Sequence, residues 1–484
     1  MDKKQKKDYS KYFLPNLVQA RRRLKNVVTN RHSFNLAKKY CELGNGKKFF
    51  IRTYGCQSNV RDSEDITGLL QAMNFKPADD IEQADIVILN TCAVRENAEK
   101  KVFGEIGFLK RLKNKNPKFL FGICGCMPQE EAVVEKIADS IEHVNFVFGT
   151  HNIHMLPDIL NQVINHQQRV IQVYSKEGEV IEGLPNARNS QVKAFVNIMY
   201  GCDKFCTYCI VPYTRGKIRS RSKEDILNEI NRLIKQGYQE ITLLGQNVNS
   251  YGNDFGIEYH FWNLLEDVAL TNIPRVRFAT SNPWNFDVKI IEVMKKHKNI
   301  MPYVHIPVQS GDETILKAMN RAMKINDYIN LIDQIRKVIP NCSISTDLIV
   351  GFPNETEEQF ANTVKLFHRI KFDNAYTFIY SPRIGTAAAL IKDRTNFATK
   401  RLRLAQLNEL VRHYAKTNNE KWINQTVDVL VEGKSKTNEA VWTGYTPEWK
   451  VVNFRGKAKI GEIIPVKIHS ISRFSLNGEV ASKH

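Results

Sequence analysis

The chain has 484 residues, of which 42% are hydrophobic, 25% charged and 10% aromatic, a globular composition that excludes a disordered tail protein and leaves room for several cored domains. Lys and Arg number 70 against 51 Asp and Glu, a formal net charge of +19, and a chain this basic usually meets a polyanion such as nucleic acid. No apolar run approaches the roughly 20 residues that span a bilayer, and the opening MDKKQKKDYSKYF lacks the apolar stretch of a secretory signal, so the expected location is cytoplasmic, with no membrane partner.

Residues 1–46 carry 12 Lys and Arg against 3 Asp and Glu, densest at Arg21, Arg22, Arg23 and Lys25. They read as a basic extension, either a solvated arm or one that adds nucleic-acid affinity without sequence choice. Over 47–165 the pattern turns to strand, turn and helix. Apolar runs at 48–55, 85–91 and 118–125 alternate with helical stretches, which predicts βαβ units and an open parallel α/β sheet. Residues 166–187, which run into the turn-rich EGLPNARNS, read as an irregular linker. Over 188–420 six further strands are expected, at 194–201, 240–247, 275–281, 302–309, 343–352 and 375–381, with a basic helix from about 396 to 420 closing the domain. Six βα steps in this length suit a partial (βα)6 barrel better than a closed eight-stranded one, which takes about 250 residues. From 421 to 484 the period drops to two, in TVDVLVEG, EAVWTGYT, WKVVNF and IIPVKIHSIS, as in a small antiparallel β-barrel of the oligonucleotide-binding kind.

The cysteines carry the chemistry. Nine of them in a reducing compartment point to metal or catalytic sulfur rather than disulfides. Cys202, Cys206 and Cys209, in GCDKFCTYC directly after the first barrel strand, can hold three irons of a cubane cluster and leave the fourth open. A structural zinc would want a fourth ligand, and no nearby Cys or His supplies it. Cys56, Cys92 and Cys126 each end a strand of the first domain, so even spacing along the chain becomes convergence in the crevice at the carboxyl ends of a parallel sheet. The rival for these three is a set of buried structural thiols. Cys124 reads as core, and Cys41 and Cys342 as structural or incidental.

A C-x3-C-x2-C loop at the mouth of a partial barrel resembles the radical S-adenosylmethionine (SAM) superfamily. With the second triad, residues 48–484 are similar to its methylthiotransferase family, built from an N-terminal cluster domain, a radical SAM core and an RNA-binding TRAM domain. TYGCQSNVRDSE, LNTCAVRENAEKKVFG, GCDKFCTYCIVPYTRGKIRSR, LGQNVNSY, HIPVQSG, STDLIVGFPNET and YSPRIGT resemble the branch acting on isopentenyl-adenosine in tRNA. Ser58 stands where that branch usually has Met, and Asn282 where a His is common.

The resemblance implies two [4Fe-4S] clusters as cofactors, one on Cys202, Cys206 and Cys209 and an auxiliary one on Cys56, Cys92 and Cys126 that carries the sulfur. It implies methylthiolation at C2 of N6-isopentenyladenosine next to the anticodon, with one SAM as methyl donor and a second as source of a 5′-deoxyadenosyl radical. Breaking an aromatic C–H bond is cofactor chemistry, so no side-chain acid or base is assigned. Residues after the barrel strands should face SAM: Gly245, Gln246, Asn247, Ser281, Gln309, Ser310 and Gly351. Tyr213, Thr214, Arg215 and Arg219 are candidates for RNA or SAM contact. Trp442, Tyr445, Lys450 and Arg455 offer the aromatic and basic mixture that suits RNA. The partners implied are the isopentenylated tRNA and an electron donor such as flavodoxin or ferredoxin, with the protein a monomer. The alternatives are methylthiolation of threonylcarbamoyl-adenosine in tRNA or of a ribosomal-protein aspartate, and a non-catalytic iron–sulfur RNA-binding sensor.

Overall fold

A computed structural model describes residues 13–14, 29–94, 96–174 and 179–481, with side chains of 13–14 and 96–100 left aside. The cluster Arg21, Arg22, Arg23 and Lys25 lies outside the described residues. The chain divides into two compact units. One comprises Met1–Asn189 with the segments Met199–Phe205 and Cys209–Arg221; the other comprises Ser190–Ile198, Cys206–Tyr208 and Ser222–His484.

The first unit is built on a seven-stranded sheet whose spatial order is 13–14, 170–174, 146–148, 120–125, 86–91, 48–54, 76–77. Every pair in it is parallel. Its central strands read as continuous apolar runs because both faces are covered: Val87, Leu89, Phe121 and Ile123 pack into one core, Ile86, Ile88 and Phe146 into another. The segment expected to be an irregular linker carries two strands instead. Val170–Tyr174 adds to the sheet beside Phe146–Phe148, and Glu179–Glu182 pairs in parallel with Asn30–Ser33. Their short alternating runs were overshadowed by the Gly, Pro and Asn that follow.

In the second unit six parallel strands follow one another as two three-stranded sheets, Lys193–Asn197, Glu240–Leu244 and Arg275–Phe278, then Tyr303–His305, Ser343–Val350 and Asn374–Ile379. A parallel bridge between Val276 and Ile300 continues the first sheet toward the second, giving the expected (βα)6 series. The strand expected over 302–309 stops at His305, two residues before Pro307, which has no N–H to donate. Helix Phe397–Glu420 packs on the outer face of the last strand, where Thr377 donates to Asn408 at 2.6 Å.

Five strands from Thr426 to Val480 close into a barrel around Val429, Val431, Val452, Phe454, Val466 and Ile468. Its Tyr445–Lys450 turn is built into the amino ends of the (βα)6 strands. Arg275 donates to the Tyr445 carbonyl at 2.8 Å, and Arg277 to those of Pro447 and Thr446 at 2.7 and 2.8 Å. Trp449 lies between the Arg277 guanidinium, 4.3 Å from its ring centre, and the Tyr303 ring at 5.7 Å. Lys450 is buried and donates to Asp373 at 2.8 Å.

Candidate metal centres

In the first unit the strands ending at Tyr54, Thr91 and Gly125 are adjacent and in register, Tyr54 opposite Thr91 and Thr91 opposite Gly125. Cys56, Cys92 and Cys126 therefore leave the same edge of the sheet one after another. A polar lattice pins these ends together. Asn59, fully buried, donates to the Asn90 side chain at 3.1 Å and the Thr91 carbonyl at 3.0 Å; Asn90 donates back to the Asn59 carbonyl at 2.8 Å and to Ser63 at 2.8 Å. The Cys126 amide donates to the Thr91 carbonyl at 2.8 Å. Sequence reasoning missed Asn59 and Asn90: Asn90 was marked only as a polar residue in an otherwise apolar strand, and Asn59, near a helix start where such residues are common, carried no mark at all. Gly125, φ +98°, makes the turn before Cys126 where a Cβ would meet the Thr91 oxygen at 2.3 Å.

Each thiol has a neighbour that favours its ionised form, though at Cys126 burial outweighs it. Cys56 is the N-cap of helix Gln57–Ala72, where the macrodipole favours a thiolate. The Val94 amide donates to Cys92 Sγ at 3.3 Å. Burial raises the Cys126 thiol to about 12 even against the opposing pull of the Arg215 guanidinium. Among the described residues no three His, Cys, Asp or Glu side chains gather tightly enough for a single metal ion, and a cubane, each of whose irons takes one thiolate, does not require that. The donor set fits such a cluster: three sulfurs at one sheet edge with a helix end, an amide and a cation to offset its negative charge.

The other triad lies on one eight-residue loop. Gly201, φ +77°, precedes Cys202, and a Cβ there would sit 1.9 Å from the Lys217 carbonyl oxygen; the Cys202 amide donates to the Gly216 carbonyl at 2.9 Å. Within the second unit, Thr207 donates through its amide to Met319 O at 3.0 Å and through its hydroxyl to Ala318 O at 2.8 Å. There too the Arg321 guanidinium approaches Cys206 Sγ at 3.8 Å and donates to Pro307 O at 2.5 Å. Sequence reasoning passed over Arg321, 115 residues from Cys206. A Gly201→Ala protein is expected to lose the iron of this loop and keep that of the other triad, so that total iron falls to roughly half; iron analysis alongside circular dichroism checks it.

The residues expected to face SAM follow the barrel strands, each at a carboxyl end. Ser281 is fully buried and its hydroxyl has no partner among the described residues, a polar group at the carboxyl end of the barrel strands. Gln309, φ +75°, and Gly351, φ +66°, take left-handed backbone. Asn247 is engaged with Ser250 and the Asn282 amide, Ser310 with the Asp312 amide, and Gly245 and Gln246 are half-buried.

The RNA candidates divide. Arg215 and Arg219 are both 5% exposed, Arg215 paired with Asp62 and Arg219 donating to His151 Nδ1 at 2.9 Å. These side chains, with Asp65 and Tyr200, line a cavity of about 60 Å3 inside the first unit. Thr214 is buried and Tyr213 half-buried against Cys126. Tyr445 and Lys450 belong to the turn built into the (βα)6 strands. Trp442 is half-buried over the small barrel's core, with the Lys434 ammonium 3.7 Å above its ring. Arg455 is exposed.

Two cysteine triads, one on an open parallel α/β sheet and one on the loop that follows the first of six parallel strands, have the arrangement of a radical SAM enzyme with a second cysteine-bearing domain. Residues 196–367 match the Radical SAM superfamily, 48–149 the Uncharacterized protein family UPF0004, and 420–481 the TRAM domain. The tRNA-2-methylthio-N(6)-dimethylallyladenosine synthase of Malacoplasma penetrans is 58% identical over 99% of both chains. That of Bacillus subtilis is 49% identical over all of this chain and 96% of its own. Among solved structures, the radical SAM methyltransferase TsrM from Kitasatospora setae, with cobalamin and a [4Fe-4S] cluster bound, superposes with a TM-score of 0.51 at 13% identity over 71% of this chain and 74% of that one, a likeness of fold. The chain belongs to the tRNA-2-methylthio-N(6)-dimethylallyladenosine synthase family of radical SAM enzymes.

Proposed function

We infer that this protein methylthiolates C2 of N6-isopentenyladenosine next to the anticodon of tRNA, using two SAM molecules per turnover. The observation that carries the reading is the pairing of the two triads in one chain, each with a donor beside a sulfur, alongside 58% identity over 99% of the chain with a synthase of that name. When bound, the two clusters and SAM supply an electron, a methyl group, sulfur and homolytic C–H cleavage, which no side chain here can.

The chain's own part is to bind, orient and exclude water. Cys202, Cys206 and Cys209 would hold the cluster that takes SAM, and Cys56, Cys92 and Cys126 the auxiliary one. The unpartnered Ser281 hydroxyl and the left-handed turns at Gln309 and Gly351 would receive SAM across the strand ends. The exposed cations Arg455, Lys457 and Lys459 would meet tRNA phosphates, while the base leaves its stack to reach the barrel mouth. No helix among the described residues is long and apolar enough to cross a membrane. A cytoplasmic monomer reduced by a flavodoxin or ferredoxin completes the reading.

The test is anaerobic reconstitution with iron and sulfide, then reaction with an anticodon stem-loop carrying isopentenyl-adenosine, SAM and reductant. Mass spectrometry of the digested nucleosides should find the 2-methylthio product, with S-adenosylhomocysteine and 5′-deoxyadenosine formed alongside it. Formation of 5′-deoxyadenosine with product only on a threonylcarbamoylated stem-loop would move the substrate assignment.

A further inference from the structure

The segment that follows Cys209 folds as part of the first unit and places one charged side chain beside the other triad. The short helix Val211–Thr214 packs on the turn Met127–Gln129, and Ile210 and Tyr213 close over Ala93 and Cys126. Arg215, the C-cap of that helix, is buried, and its two terminal nitrogens reach the Asp62 carboxylate at 2.5 and 3.5 Å. Asp62 sits on the helix that Cys56 caps. Arg219 holds the Arg215 carbonyl at 3.0 Å, so both ends of the residue are fixed. Burial works against its charge, yet Asp62 first and then Cys126 and Cys56 hold the guanidinium well above its usual range. A side chain that composition would assign to RNA is therefore spent on the interior, held by Asp62 on the helix that Cys56 caps and following the residues that close over Cys126.

We propose that Arg215 is a positioning residue of the N-terminal cysteine triad, a fixed buried cation that holds the negatively charged cluster on Cys56, Cys92 and Cys126 and raises its reduction potential. It rests on the reading of those cysteines as cluster ligands. A cluster's potential follows net charge and the charges around it. In a dry setting such a charge is weakly screened, and partners next to ligands commonly change metal affinity 10–100-fold. Asp62 orients the guanidinium and partly offsets its charge.

The experiment uses the full chain with Cys202, Cys206 and Cys209 all replaced by alanine, so that only the N-terminal triad can take iron. A redox titration followed by electron paramagnetic resonance, and the rate of iron loss to a chelator, are then read in three further variants. Arg215→Gln should shift the midpoint negative and speed iron loss roughly 10–100-fold. Asp62→Asn should shift the midpoint positive, and Arg215→Lys should stay close to the parent. A merely structural ion pair predicts the same direction for Arg215→Gln and Asp62→Asn, because each breaks it. Shifts of one sign, or none, therefore overturn the proposal; if Arg215→Gln does not fold, the Asp62→Asn and Arg215→Lys midpoints decide it by the same signs. A parent with no cubane signal sinks the ligand reading and this proposal together, whereas a signal indifferent to both charges sinks the proposal alone.

Discussion

A Cys202→Ala protein is expected to form neither 5′-deoxyadenosine nor methylthiolated nucleoside, both falling below about 1% of the parent rate, since the bond-breaking chemistry belongs to the bound cofactors. A Cys56→Ala protein should still form 5′-deoxyadenosine from SAM and lose the methylthio product to the same degree. The split follows from where the residues sit: Cys202 on the loop after the first barrel strand, Cys56 at a helix start on the open sheet. Chromatography of the SAM products with mass spectrometry of the nucleosides checks both, and full 5′-deoxyadenosine formation in Cys202→Ala would refute the assignment of that loop.

The largest stability effect is expected at the floor of the barrel. Arg277 and Glu240 have side chains 2% exposed each and meet at 3.0 Å, while the same guanidinium holds the Thr446 and Pro447 carbonyls. Arg277→Ala leaves a buried carboxylate and two carbonyls without a donor, which costs about 3–5 kcal/mol. Replacing both partners, as Arg277→Met with Glu240→Leu, removes the orphaned charge and should recover most of that loss. Urea unfolding followed by tryptophan fluorescence reads the difference; a loss under about 1 kcal/mol in Arg277→Ala would mean the pair is not buried in solution.

What sequence could reveal depended on the kind of residue. The convergence of Cys56, Cys92 and Cys126 at one sheet edge was legible because sulfur at strand ends has few other uses, and the strands before them were legible as apolar runs. The barrel order followed from alternation, down to the helix at Phe397–Glu420. Buried charge was not legible. Arg215, Arg219 and Lys450 look like solvent-facing cations until Asp62, His151 and Asp373, 153, 68 and 77 residues away, are brought to them. Trp449 and Tyr445 look like a base-stacking surface until Arg277 and Tyr303 cover them. Long-range pairing leaves no periodic trace in one sequence, whereas a sheet edge does.

Two separate triads, each holding its own cluster, make a sharp stoichiometric expectation. Iron and sulfide analysis with Mössbauer spectroscopy of the reconstituted full chain tests it most directly, beside the two triple-alanine proteins. About eight irons are expected in the parent and about four in each triple variant, all as cubanes. A Cys56, Cys92, Cys126 variant that kept all of the parent's iron would contradict it.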